Sequence, residues 1–135
     1  NTSMQDLLKK AGAGFVWLHG LQAQIDSVML GFWDTRKQLY RYHKIRPRGY
    51  SQLEPITVSG NATWVNGAPF AHIHGAVCYA DSKRKGQFAG GGHISEMIIG
   101  RTGEGLLLIS DDIVIERVLN PHPKCNVREW HFPAQ

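Results

Sequence analysis

Apolar residues recur along the chain with two periods, and the first is helical. In Met4-Gln-Asp-Leu-Leu-Lys-Lys-Ala11, Met4, Leu7, Leu8 and Ala11 fall on one side of a helix. That spacing predicts a short helix over residues 4–11, ended by Gly12 and Gly14. Beyond Gly14 the apolar runs shorten and turn to a period of two. Strands are expected over Phe15 to Leu18, Asp26 to Trp33, Gln38 to His43, Pro55 to Ser59 and Ala62 to Val65. Others follow over Phe70 to Tyr79, Met97 to Ile99, Leu106 to Ile109 and Ile113 to Val118. Within the third, Leu39, Arg41 and His43 alternate with Tyr40 and Tyr42, the pattern of a half-buried strand. Asn66-Gly67 is the strongest short hairpin signal and joins the strands on either side of it. Most strands are separated by only a few turn residues, which favours antiparallel pairing over βαβ crossovers. The expected fold class is α+β, a single domain with a mostly antiparallel β-sheet and one or two helices. Its expected extent is residues 1–120. Pro121, Pro123 and Pro133 predict an irregular tail over 121–135, packed on the domain or extending from it.

Composition narrows the class further. The chain has 135 residues, of which 42% are hydrophobic and 19% charged, enough to bury one core and too apolar for a disordered tail. Fifteen glycines suit many turns and short strands. No apolar run approaches the ~18 residues of a membrane span, and the first ten residues lack the basic-then-apolar order of a secretory signal. Cys78 and Cys125 lie outside any Cys-x-x-Cys spacing, so neither a disulfide framework nor a cysteine-rich zinc site is indicated. A reducing, cytoplasmic setting is the expectation. The net charge of +4 is uneven. Arg36, Lys37, Arg41, Lys44, Arg46 and Arg48 fall in an acid-free stretch between Asp34 and Glu54, leaving nine basic against eleven acidic residues elsewhere. Such a stripe is either a phosphate-contacting surface or a solvated edge, and the solvated edge is the expectation. Lys83-Arg84-Lys85 reads as a hairpin tip.

Candidate chemistry concentrates on three of the seven histidines. In Phe70-Ala-His-Ile-His-Gly-Ala-Val-Cys-Tyr79, His72 and His74 are two apart. On a strand they point to the same face with Cα atoms ~6.5–7 Å apart, close enough for both imidazoles to reach one cation. Ile73, Val77 and Tyr79, of the opposite parity, are expected to bury on the other face. His93 follows Ala89-Gly90-Gly91-Gly92, and that run is expected to let the backbone turn sharply and approach its neighbours closely, delivering His93 beside the pair. Three histidines leave zinc an open fourth position, as in catalytic or ligand-binding sites. The competing reading is three ordinary hydrogen-bonded histidines. The triple glycine lacks the Lys-Ser/Thr of a phosphate loop. Arg46-Pro47-Arg48-Gly49 reverses the order of an AT-hook core and reads as a turn, and Asn61-Ala-Thr is a chance match to the glycosylation triplet. Glu54, Glu96, Arg101 and Glu104 are the polar residues with chemistry to offer a metal, by orienting imidazoles or moving protons. No complete nucleophile set emerges.

Three stretches carry a resemblance: Leu53-Glu-Pro-Ile-Thr-Val-Ser-Gly-Asn61, Asn66-Gly-Ala-Pro-Phe-Ala-His-Ile-His74 and Gly91-Gly-His93-Ile. They resemble the plants-and-prokaryotes-conserved (PPC) domain, with further likeness at Val28-Met-Leu-Gly-Phe-Trp33 and Thr102-Gly-Glu104. The resemblance implies an α+β domain assembled as a homotrimer. It also implies that His72, His74 and His93 are metal positions, for zinc or another divalent transition metal. Plant members pair the domain with AT-hooks. This sequence carries none, which argues against direct DNA contact and for a transcription-associated role through protein partners. The expectation is therefore a metal-binding protein rather than an enzyme. The alternative is a small zinc-dependent lyase or hydrolase, because acetolactate decarboxylase shares the architecture. In that case Glu54, Arg101 and Glu104 would have to converge beside the three histidines.

Overall fold

The computed structural model describes residues 3–47, 52–81, 86–119 and 128–131. Helix α1 spans Met4–Ala11, as its periodicity predicts. Ser3 caps it: the Asp6 amide donates to Ser3 Oγ at 3.2 Å, and the Ser3 amide donates to Asp6 Oδ2 at 2.9 Å. This reciprocal box satisfies amides that the first turn cannot pair internally. The Ser3 amide first, and the Ser3 hydroxyl second, which also donates to Asp6 Oδ2 at 2.9 Å, hold the Asp6 carboxyl below its ordinary value. Gly12, at φ 61°, closes the other end in the left-handed conformation.

Seven strands follow: β1 Phe15–Asp34, β2 Leu39–Ile45, β3 Glu54–Val65, β4 Ala68–Asp81, β5 Gly86–Ser110, β6 Glu116–Leu119 and β7 Arg128–His131. They form one sheet in the order β2-β1-β5-β4-β3-β6-β7, and β1 also pairs with β3. The sheet is mixed. β1–β2, β4–β5 and β6–β7 are antiparallel, whereas β3 and β6 meet in parallel at Trp64 and Glu116. The fold is thus a small, mostly β domain with one short helix.

Several expected strands prove to be pieces of longer ones. Phe15 to Leu18 and Asp26 to Trp33 belong to a single β1, whose interior Gly20 adopts φ 64° without ending it. The two pieces around Ser59-Gly60 likewise form one β3. The triple glycine, expected to turn, runs straight through β5 with Met97 to Ile99 and Leu106 to Ile109. It pairs with β4, Gly90 opposite Val77, Gly91 opposite Ala76 and Gly92 opposite Gly75. A Cβ on Gly91 would lie 2.8 Å from the Gly75 carbonyl oxygen, so the expected close approach is present, made within a sheet and without the sharp turn. Asn66-Gly67 behaves as predicted, both residues having positive φ between β3 and β4. β2 is exposed over six of its seven residues instead of half-buried, as a sheet-edge strand. Residues 113–115 precede β6 rather than belonging to it, and the tail expected to be irregular contributes β7. Arg48 and Gly49, the Lys83-Arg84-Lys85 tip, Cys125 and the rest of the tail lie outside the described residues.

The chain divides into two compact units. One comprises residues 1–17, 61–71 and 107–135. In it Leu8, Ala13, Val16 and Ala62 are buried together, with Met4, Trp64 and Leu107 against them. Full burial of the Leu8 and Val16 side chains is worth ~1.5–3 kcal/mol each. The Trp64 indole N–H donates to the Ala13 carbonyl at 3.1 Å, so the ring buries without losing a hydrogen bond. Asn61 is buried inside β3, which removes the glycosylation match from solvent. The other unit comprises residues 18–60 and 72–106. Its buried residues include Ile25, Val28, Leu30, Leu53, Val58, Val77 and Ile94. The three candidate histidines belong to this second unit.

Candidate metal centre

Strand parity and pairing together assemble the site. His72 and His74 sit two apart on β4 and share a face, while Val77, of the opposite parity, is fully buried. His93 is the direct cross-strand partner of His74 in the β4–β5 register. Directly opposed residues of an antiparallel pair project to the same face with their Cβ atoms ~4.5–5.5 Å apart. The pairing, not a glycine turn, therefore brings His93 to the other two.

The three rings form a tight triangle. Centroids are 4.9 Å apart for His72–His74, 5.1 Å for His72–His93 and 5.2 Å for His74–His93. One nitrogen from each ring lies within 4.8 Å of the other two. Nε2 of His72 and Nε2 of His74 approach to 3.0 Å, so one ring donates its N–H to the other. Nitrogens on one tetrahedral zinc, each bonded at ~2.0–2.1 Å, stand roughly 3.3 Å apart. Small side-chain rotations therefore suffice. Nδ1 of His93 is buried with no hydrogen-bond partner, a condition that ordinarily costs free energy unless a ligand relieves it. Burial, and secondarily the charge of His74, hold the His93 pKa below its ordinary value. The ring is thereby kept neutral, the form that binds metal. On these observations the residues fit a divalent cation.

The polar candidates go elsewhere. Among the described residues no carboxylate joins the histidine group. Glu54 and Glu104 line a cleft of about 380 Å³ with Gln22, Ala23, Gln24, Pro55 and Thr102, and none of the three histidines lines it. Arg101 is exposed and is not part of that lining. Glu96 accepts the Lys44 ammonium at 2.8 Å. In the basic stripe, Arg41 is paired with Asp34 at 2.7 Å, and Asp34 Oδ1 also accepts the Arg36 and Lys37 amides at 3.0 Å. Those contacts suit a solvated edge.

Two neighbours of the site escaped the sequence reading. Tyr40 stands 5.2 Å from the His93 ring and Tyr42 stands 6.4 Å from it. Their shared parity on β2 was visible. What sequence does not display is that β2 pairs with β1, the strand lying between it and β5 in the sheet.

No family model and no curated protein matches the sequence. Solved structures share its fold. A plant- and prokaryote-conserved (PPC) protein from Pyrococcus horikoshii superposes with a TM-score of 0.71 at 20% identity, over 98% of this chain and 82% of that one. A metal-containing protein from Archaeoglobus fulgidus gives 0.72 at 21% identity, covering 95% and 81%. A "putative DNA binding protein" from Bacteroides thetaiotaomicron gives 0.74 at 22%, covering 96% and 81%. The chain has the fold these proteins share, that of a PPC-like domain.

Proposed function

We propose that this protein, on its PPC-like fold, holds one divalent transition metal, zinc foremost, on His72, His74 and His93, and acts by binding rather than by catalysis. The observation that carries the reading is the convergence of three imidazoles, two by strand parity and one by cross-strand register, with ligand nitrogens within 4.8 Å of one another. The name of the Archaeoglobus fulgidus neighbour, a metal-containing protein, supports it. A metal bound by three neutral imidazoles supplies Lewis acidity and an anchor for a fourth ligand. The chain's own residues hold the donors in place and keep His93 deprotonated. The lyase or hydrolase alternative required Glu54, Arg101 or Glu104 beside the histidines, and the cleft that Glu54 and Glu104 line contains none of them.

The same reading assigns a transcription-associated role exercised through a protein partner, in keeping with the DNA-binding names of structural neighbours. Direct phosphate contact is the weaker route, since Arg41 and Lys44 already hold acidic partners. It also assigns a homotrimer. Ile56, Ile98, Ile99, Leu106 and Leu108 are exposed on the single chain, apolar surface of the kind that subunits bury. Light scattering should then give about three times the 15.1 kDa chain mass. A monomer mass would remove the assembly from the proposal.

The metal is tested by elemental analysis of untagged protein purified without chelator. About one metal per chain is expected, falling well below that in His72→Ala and His93→Ala. Metal-free wild type, or metal unchanged in both variants, would overturn the reading.

A further inference from the structure

Beside the three histidines lies a second group of side chains that metal binding alone does not use. Tyr40, Tyr42 and Lys44 share one parity of β2, and the register with β1 sets Trp33 opposite Tyr40 and Gly31 opposite Tyr42. The Tyr42 ring occupies the space over Gly31, where a Cβ would lie 2.6 Å from it. Tyr40 meets the Trp33 ring edge-on at 5.2 Å and the Tyr42 ring at 5.9 Å. Both tyrosines border His93 as described above. The result is a continuous aromatic wall running up to the donor set. It is not buried by the chain itself: Tyr40 is 40% exposed, Tyr42 44% and Trp33 38%.

Charge specifies what such a wall would face. Three neutral imidazoles leave the 2+ charge of a bound cation uncompensated. No carboxylate among the described residues joins the group, and Glu96 is held by Lys44. The fourth ligand is therefore expected to be an anion supplied from outside, and a carboxylate suits zinc. The rings beside it favour a planar, aromatic body over an aliphatic one, because aromatic pairs in offset or edge geometry gain beyond the area they bury.

We propose that the open coordination position takes a small aromatic carboxylate, its carboxylate on the metal and its ring against Tyr40 and Tyr42. This rests on the metal reading and names the ligand class of that site. No bond is made or broken in the ligand.

The experiment is a calorimetric titration of zinc-loaded and metal-free protein with benzoate, cyclohexanecarboxylate and acetate, after elemental analysis has established zinc content. Benzoate should bind the loaded protein roughly three- to tenfold more tightly than cyclohexanecarboxylate, with acetate weaker still and no binding to the metal-free form. In Tyr40→Leu and Tyr42→Leu the preference for benzoate should collapse while zinc content stays at the wild-type level. Tyr40→Phe, which keeps the ring, should retain it. Equal benzoate binding with and without zinc would overturn the carboxylate–metal contact. Loaded wild type that binds benzoate and cyclohexanecarboxylate alike would overturn the aromatic wall, whatever the variants do. A wild type that takes up no zinc fails at the elemental step and overturns the metal reading itself.

Discussion

Arg117 and His93 are both ionisable side chains drawn into a sheet, one in each compact unit, and they are provided for in opposite ways. Arg117 is only 6% exposed. Its Nε–H donates to Thr63 Oγ1 at 3.1 Å, its Nη2 donates to Asn61 Oδ1 at 2.8 Å, and its guanidinium lies 5.7 Å from the Phe70 ring centre. Burial lowers its pKa from the ordinary value, yet the neutral acceptors and the aromatic face hold it as a cation. His93 keeps a buried nitrogen that nothing in the chain satisfies. A polar group whose hydrogen bonds are met inside the fold serves the fold. One left unmet beside two more imidazoles is what the proposed metal site would account for.

The sharpest way to break this contrast is to remove each group and read both metal and stability. His93→Ala should abolish stoichiometric metal binding, the largest effect expected, and elemental analysis reads it directly. Metal-free protein should tolerate the same change, since it deletes an unmet polar atom. Arg117→Ala should do the reverse. It strips away a buried stem and leaves Asn61 and Thr63 unpaired, so chemical denaturation should show a loss of ~2–4 kcal/mol. Zinc content at full occupancy should not change. If Arg117→Ala lost its metal while His93→Ala lost stability, the assignment of roles would be reversed.

Acid should sharpen the same contrast. The folded-state pKa of His93 lies below its unfolded value, near ~6.5. The unfolded chain therefore binds this proton more readily. Stability contributed at this position is fully present above the unfolded value and declines as pH falls through it toward the folded one. Metal occupancy declines in the same direction, because a proton and a cation compete for one lone pair. Arg117 stays charged throughout this window. Metal release followed by a chromophoric chelator across pH 7.5 to 5 should show the loss in wild type, and occupancy flat over that range would count against the histidine ligands. The smallest expected effect is Ser3→Ala. Loss of the helix cap should cost ~1 kcal/mol in thermal or denaturant unfolding with no change in metal, a control for general destabilisation in the unit that holds Arg117.

What could be read from the sequence follows the range of the interactions involved. Helix α1, the Asn66-Gly67 hairpin and the shared face of His72 and His74 rest on contacts within a few residues, and local periodicity exposed them. Ala11 is the exception on α1, being exposed although the pattern placed it with Leu8. His93 does lie beside the His72 and His74 pair, as expected, but strand pairing rather than a sharp turn brings it there. Its position depends on the β4–β5 register, which joins residues 19 apart at His74 and His93, and no local pattern encodes a register. Glycine misled in the same manner. Gly60, Gly91 and Gly92 look like breaks in a single chain but are places where neighbouring strands come close. The burial of Arg117 carried no local signal, because it depends on Asn61 and Thr63 arriving from far along the chain.

Those glycines bear on how this centre can change over generations. A Cβ at Gly60 would collide with the His72 carbonyl oxygen, one at Gly75 would lie 2.6 Å from the Thr57 carbonyl oxygen, and one at Gly92 would lie 2.7 Å from that of Gly31. Backbone atoms cannot swing aside as side chains do. In a saturation library these positions should read as nearly intolerant, whereas His72, His74 and His93, which project from the same framework as side chains, should accept more replacements, chiefly at the cost of the ligand. Such a scaffold can trade one donor set for another by single substitutions, but it cannot move the place where donors meet. Descendants that bind a different ion, or none, are accordingly expected to keep the glycines long after the histidines are gone.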